Sequence, residues 1–219
     1  IDVYGFGVDL GANQETVSSL LCASPGSVIE IQDDGSINPT VNTPEFKGYY
    51  QLLKDMKPYF QPDFSSLNHL ETGTLFAQQK VAMTIAGFWV WDQNEHMADE
   101  TFYGHTRIPK MDESSPDGSF GGGFGISVSK NTANPEKAIE FAKMLCAPEN
   151  NYRVMTDVPA SQKGLEASPY AEDDKYKVFM EQIVFGRQPY PKTLYDQDIQ
   201  ASVYDELMKV IIDDSATVD

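Results

Sequence analysis

Trp89 and Trp91 are the only tryptophans among the 219 residues, and both follow directly on the run Lys80-Val-Ala-Met-Thr-Ile-Ala-Gly-Phe. Val81, Met83 and Ile85 alternate with Ala82 and Thr84, the period of a strand with one large-residue face and one small-residue face. Gly87 permits a sharp turn from that strand into a helix. The indoles therefore stand where an α/β sheet places its ligand-facing loops, at the carboxyl end of a strand. A flat, polarisable indole there suits the apolar face of a sugar ring. The alternative is that both rings pack in a core, where tryptophan is mostly found.

Other chemistry is scarce. Gly121-Gly122-Gly123 precedes an alternating run rather than a helix, so it is not a phosphate loop. His69, His96 and His105 lack zinc-ligand spacing, and no Gly-x-Ser-x-Gly frames a nucleophile. The acid pairs Asp33-Asp34, Asp173-Asp174 and Asp213-Asp214 fall at turns or helix ends without calcium-loop spacing. Catalytic residues, a metal and a cofactor are therefore not expected. Cys22 and Cys146 form no Cys-x-x-Cys, and each lies in an apolar helical stretch. Two free thiols are expected, with one disulfide as the alternative.

Lys+Arg is 16 and Asp+Glu is 33, a net charge of −17. That argues against a nucleic-acid or anionic-membrane surface. It suits neutral or cationic small molecules, or simply solubility. The chain is 41% hydrophobic, enough for one large domain or two small ones. No apolar run approaches the ~18 residues of a membrane span, and no signal peptide is visible. The chain opens on Ile1-Asp2-Val3-Tyr4, already strand-like, and stops at Ala216-Thr217-Val218-Asp219, just past a helix. Both ends read as cut, so the missing signal peptide carries little weight.

The positioning elements follow from periodicity. Tyr4, Phe6 and Val8 alternate with Gly5 and Gly7, predicting a strand over residues 3–9, then a polar loop and a helix to about Cys22. A short strand is expected over 28–32 before the turn Asp33-Asp34-Gly35. Thr43-Pro44-Glu45 starts a helix whose buried stripe is Phe46, Tyr49, Tyr50 and Leu53. A helix over 68–79, the strand at 81–85, a short helix to about Met97 and a strand over 101–108 come next. A polar loop, 111–118, leads to Phe124, Ile126 and Val128, alternating with Gly125, Ser127 and Ser129. Asn134-Pro135-Glu136 starts another helix, with Ala138, Phe141, Ala142 and Leu145 as its stripe. Helices near 149–155 and 173–184, a proline break at 186–191 and a final helix over 199–212 complete the reading. The last helix is expected to bury Val203, Leu207, Val210 and Ile211. Strands separated by helices make an α/β protein.

Several of these motifs, in order, resemble the C-terminal portion of an extracellular solute-binding protein of the sugar-type ATP-binding-cassette importers, the maltose-binding-protein-like group. Phe76-Ala-Gln-Gln-Lys80-Val-Ala-Met83 is similar to Phe-x-x-Gly-Lys-x-Ala-Met, and Gly87-Phe88-Trp89 to Gly-Pro-Trp. Gly123-Phe-Gly-Ile-Ser-Val-Ser-Lys130, then Asn134-Pro135-Glu136-Lys137-Ala138 and the helix from Phe141 to Leu145, resemble Gly-x-x-Ile-x-x-x-Ser-x-Asn-Pro-Glu-x-Ala and its Glu-Phe-x-x-x-Leu. The break at 186–191 and its amphipathic helix complete the resemblance, which runs along nearly the whole chain. Gln79 stands where glycine is usual, and Phe88 where proline is.

The resemblance implies an α/β, periplasmic-binding-protein-like (type II) fold of two lobes, with ligand in the cleft between them and closure by a hinge. It implies that residues 1–109 belong to the C-terminal lobe, 110–168 cross to the N-terminal lobe, and 169–219 return. The main N-terminal lobe, roughly a hundred residues before Ile1, would then be absent from this chain. The implied function is capture of a sugar or oligosaccharide for a membrane permease, without catalysis. The implied partners are the carbohydrate and the ABC permease transmembrane subunits. Nucleic acid is not among them, and any membrane contact is through an anchor outside this chain. The implied location is extracellular or periplasmic, with a lipoprotein anchor to the cell surface as one form of it.

By the same resemblance Trp89 is the sugar-stacking residue, with Phe88 offering a second face, while Trp91 is offset toward the interior. Asn13, Gln14 and Glu15 form a ligand-contacting loop, or else a solvated one. Gly122 and Gly123 bring backbone N–H groups near the ligand, or form a bare turn. Arg187 and Tyr190 flank the late break, near the last cleft-facing residues. Three rival readings stand beside this one. They are capture of a polyamine or other cation on the same fold, an enzyme on a two-lobed binding-protein fold, and an isolated lobe used as an interaction module.

Overall fold

The structure, a computed structural model, describes residues 3–11, 15–87, 89–90, 94, 97, 102–154, 158–190, 192–213 and 215–219. The chain divides into two compact units. The first comprises Ile1–Ala86, Ile108–Gly121 and Phe185–Asp219; the second comprises Gly87–Arg107 and Gly122–Val184.

The first unit is built around residues 4–10, which run extended between residues 59–64 and 80–84. Tyr4 bridges Val81 and Gly7 bridges Thr84, both parallel, and Phe6 bridges Phe60 in the same sense. The backbone N–H of Gly7 donates to the Met83 carbonyl at 2.8 Å, and that of Phe6 to Tyr59 at 2.9 Å. At Val8 the ladder is continued by a side chain. The Gln61 amide accepts from the Val8 N–H at 3.0 Å and donates to its carbonyl at 2.7 Å. A buried strand must pair every peptide group, and Gln61, itself buried, supplies both partners. The expected strands at 3–9 and 81–85 are thus present as a bridged parallel core rather than long ladders.

The helices of this unit are α1 (Glu15–Cys22), α2 (Pro44–Met56) and α3 (His69–Ala77), with the final helix described below. Glycine explains how α3 lies flat on the extended segment. A Cβ on Gly7 would come within 2.9 Å of Thr72 on α3 and 3.1 Å of Val81. Thr43 caps α2 as its sequence predicts, accepting from the Phe46 N–H at 3.3 Å, and Phe46, Tyr49, Tyr50 and Leu53 are all buried. Asn68 and Glu71 form a full capping box on α3. The turn at 33–35 closes an antiparallel hairpin, β1 (Ile29–Ile31) with β2 (Ile37–Pro39), Ile29 facing Pro39; the return strand was not legible from periodicity. A second pair is parallel: β3 (Ser119–Phe120) with β4 (Gly186–Arg187).

The α-helices of the second unit, among the described residues, include α4 (Pro135–Cys146), α5 (Pro148–Val154), α6 (Gln162–Glu166) and α7 (Asp174–Ile183). No residue of α4 is buried, which corrects the expectation of a core stripe at Ala138, Phe141, Ala142 and Leu145. The helix forms as expected, but Ala138, Ala142 and Leu145 are only half-buried and Phe141 is exposed. Residues 102–108 form no strand, a second correction; their ring-to-ring contacts, Tyr103 with His105 at 5.3 Å and His105 with Phe179 at 5.4 Å, replace a ladder. The final helix, α8 (Asp196–Ile212), returns to the first unit and buries Val203, Leu207, Val210 and Ile211, the residues expected. One apolar core joins these four to Val8, Leu10, Leu21, Phe46 and Leu53. Both cysteines are free, Cys22 buried and Cys146 exposed.

Candidate functional site

The expected ligand loop lies at the carboxyl end of residues 4–10. Its entry is fixed by backbone: the Leu10 N–H donates to Phe64 at 3.0 Å and the Gly11 N–H to Leu67 at 2.9 Å. Any side chain at Gly11 would run into the Ser66 carbonyl, so the chain can pass there only as glycine. Its exit is fixed by Asp9. That carboxylate, 0% exposed, accepts from the Glu15 N–H at 2.9 Å and the Thr16 N–H at 3.0 Å, the first free donors of α1. This is the work of an N-cap, performed from six residues upstream. Burial raises the Asp9 carboxyl above its ordinary value, with the Thr16 and Glu15 hydrogen bonds opposing the rise. Asn13 and Gln14 lie outside the described residues. Glu15 is half-buried at the start of α1, and its carboxylate stands 3.8 Å from Nδ1 of His69 at the start of α3. Asp9 and His69 were not singled out as part of this loop; an Asp six residues before a helix carries no spacing signal of its own.

Arg187 and Tyr190 lie at the other end of α1. Arg187 donates to the Cys22 carbonyl and, at 3.4 Å, to the Ser24 carbonyl. A guanidinium on these last carbonyls satisfies acceptors the helix cannot pair itself and complements its dipole. Any side chain at Gly118 would clash with the same Cys22 carbonyl. Burial pushes the Cys22 thiol up to about 11, against the opposing Arg187 charge. It pushes the half-buried Tyr190 phenol up to about 12, with Cys22 adding to the rise. Glu15 and Arg187 are therefore not brought together: seven helical steps separate Glu15 from Cys22, about 10 Å at 1.5 Å each.

In the second unit, Trp89 is half-buried and helical with Val90, two residues after Gly87. The indole lies so close to Gly87 that a Cβ there would strike its Nε1 and Cδ1 atoms. The Val90 N–H closes the turn onto the Gly87 carbonyl at 3.3 Å. Gly87 thus serves as the sequence suggests, letting backbone turn under a flat ring. Phe88 and Trp91 lie outside the described residues. Gly122 and Gly123 sit in an exposed stretch outside any helix or strand, with open space around the position a Cβ of Gly123 would take. An open hollow of about 510 Å³, lined by Leu165, Met180, Glu166, Glu172, Asp173 and Glu181 among others, contains none of the expected site residues. Among the described residues no group of His, Cys, Asp and Glu is arranged to hold a metal, and no helix is long and apolar enough to cross a membrane.

A family model of bacterial extracellular solute-binding proteins matches residues 6–152. No curated protein matches the sequence. Among solved structures, an ABC transporter solute-binding protein from Thermotoga lettingae TMO, bound with α-D-tagatose, superposes on 96% of this chain with a TM-score of 0.78 at 21% identity. The match covers 55% of that protein, so this chain spans little more than half its length. At such identity the likeness is one of fold, the type II periplasmic-binding arrangement expected from the sequence. The match to the family model takes in residues 6–10 of the extended segment, the loop into α1, Trp89 and α4, and by it the chain belongs to the bacterial extracellular solute-binding protein family.

Proposed function

We propose that this chain is part of the solute-binding component of an ABC importer, capturing a sugar or oligosaccharide and delivering it to permease transmembrane subunits without chemical change. The observation that carries the reading is the family match, which spans the Gly87–Trp89 turn. Trp89 is only half-buried, and aromatic faces cover the C–H faces of sugar rings. The structural neighbour, which holds a ketohexose, makes α-D-tagatose a sensible first ligand. Under this reading Glu15 accepts ligand hydroxyls, together with Asn13 and Gln14; Phe88 offers a second stacking face, and Gly122 and Gly123 bring backbone N–H groups toward the ligand. The placement of residues 1–109 and 169–219 in one lobe and 110–168 in another belongs to the same proposal, as does a lipid anchor outside this chain. Arg187 acts on α1 rather than through a free guanidinium, and so serves the site by holding the helix that Glu15 starts.

The test is tryptophan fluorescence titrated with mono- and oligosaccharides, α-D-tagatose among them, and with spermidine as the cationic rival. A saturable shift for a sugar, weakened about tenfold or more by Trp89→Ala, supports the reading. A response to spermidine alone, or one indifferent to Trp89→Ala, overturns it. Release of nitrophenol from nitrophenyl glycosides would reveal an enzyme instead.

A further inference from the structure

Glu15 and His69 each begin a helix, α1 and α3, and both helix starts are tied to the carboxyl end of residues 4–10. Asp9 accepts the Glu15 N–H at 2.9 Å. The Gly11 N–H donates to the carbonyl of Leu67, two residues before His69, at 2.9 Å. The caps of both helices come from other side chains: Asp9 serves α1, and Asn68 with Glu71 serves α3. The Glu71 carboxylate accepts from the Asn68 N–H at 2.9 Å, so it is Glu15 that meets the imidazole. Oε1 of Glu15 and Nδ1 of His69 stand 3.8 Å apart, with the side chains 30% and 17% exposed respectively. That separation exceeds a direct N–H···O hydrogen bond of about 2.7–3.2 Å. One oxygen can nevertheless lie about 2.8 Å from both atoms. A carboxylate only accepts, an imidazole N–H donates, and a hydroxyl does both.

We propose that Glu15 and His69 together hold one hydroxyl of the ligand, which donates to the Glu15 carboxylate and accepts from Nδ1–H of His69. His69 is then a further specificity-determining residue, and the pair selects neutral polyhydroxy compounds over cations. The inference rests on the solute-binding reading and deepens it at this end of the site. A lone carboxylate accepts a hydroxyl or an ammonium equally well. An N–H donor set beside it suits the hydroxyl oxygen and opposes the ammonium. Because the backbone of both residues is fixed by bonds to the same segment, little ordering is left for the ligand to impose. A site built to hydrogen-bond a hydroxyl strongly rejects an analogue that lacks it.

The experiment is calorimetric titration with α-D-tagatose and a panel of mono- and oligosaccharides, and then with the monodeoxy analogues of the tightest binder. It is run on the protein, on His69→Leu and on His69→Asn. His69→Leu should weaken sugar binding by about tenfold or more. His69→Asn, which keeps an N–H donor near the place of Nδ1, should recover most of the loss. One monodeoxy analogue should bind the protein and His69→Leu alike, because the hydroxyl the donor served is gone from it. Unchanged exchange of the α1 and α3 amides guards against a variant that fails to fold. Should His69→Leu disturb them, Glu15→Gln is read on the same analogues and should single out the same hydroxyl. A sugar bound equally by the protein and His69→Leu, or no analogue indifferent to the substitution, overturns this proposal and leaves the transport reading standing. Binding of no sugar, or of spermidine in preference to every sugar, overturns both.

Discussion

Replacing Asp9 with alanine tests whether the start of α1, beside the proposed ligand loop, is held from within the fold. Asp9 is fully buried and accepts the N–H groups of Glu15 and Thr16. Thr16 is 1% exposed, so its freed donor stays dry, whereas Glu15 is half-buried and can regain water. Loss of an N-cap costs about 0.5–2 kcal/mol, and one buried donor left unsatisfied costs about 1–3 kcal/mol. These figures describe one loss and are not added, so Asp9→Ala should destabilise the first unit by about 2 kcal/mol. Because the chain has two units, urea melting alone can mix two transitions; exchange of the α1 amides reports the unit directly. A change below about 0.5 kcal/mol, with α1 amides as protected as before, would refute the reasoning. The pH dependence adds a sign. The Asp9 carboxyl is raised from its ordinary value of 3.8 by desolvation, so the folded state holds its proton more tightly than the unfolded chain does. The Asp9 contribution is therefore fullest below 3.8 and is lost as pH rises through the folded value. The stability gap between the protein and Asp9→Asn should accordingly narrow from acid to neutral pH; a gap that widens would contradict the raised value.

Tyr50→Phe removes a buried hydroxyl that donates to the Val203 carbonyl at 2.5 Å, and should cost about 1–2 kcal/mol in the first unit with no change in any sugar response of Trp89. A loss no larger than that of an exposed Tyr59→Phe control, measured by exchange of α8 amides, would show the bond to be dispensable. A thiol reagent at pH 8 should modify Cys146 rapidly and Cys22 only on unfolding, because Cys22 is buried and its thiol lies at about 11; two equally fast thiols would mean that the end of α1 opens readily.

The helices were legible because their signals are local. Thr43-Pro44-Glu45 caps and starts α2, and the stripes of α2 and α8 are buried residue for residue. Expectation failed where a partner far along the chain decides. The stripe of α4 has the same local pattern as that of α2, but burial needs something to bury against, and periodicity says nothing about what is there. The pairing of Gln61 with Val8 was invisible for a similar reason: a side chain took the role of a strand, and no period records that. At the candidate site, Trp89 was singled out by its place after Gly87, a local signal. The reach of Asp9 across the loop to α1 was missed because its helix starts six residues later. Arg187 was singled out beside the break, but its bonds to Cys22 and Ser24 depend on a separation of 165 and 163 residues.

Those separations bear on how the chain acquires its structure. Arg187 closes the end of α1, the Tyr50 hydroxyl reaches Val203 across 153 residues, and the Tyr204 hydroxyl reaches Leu10 across 194. The first unit therefore cannot complete its core until α8 has been made, while Gly122–Val184 is synthesised in between and belongs to the other unit. Contacts so distant in sequence slow folding, because the intervening chain must be ordered before they form. At about 5–20 residues per second of synthesis, α1 and α2 wait several seconds or more with Phe46, Tyr49 and Leu53 uncovered by their final partner. That interval is when the unfinished first unit, its apolar stripe still uncovered, is most open to non-native association.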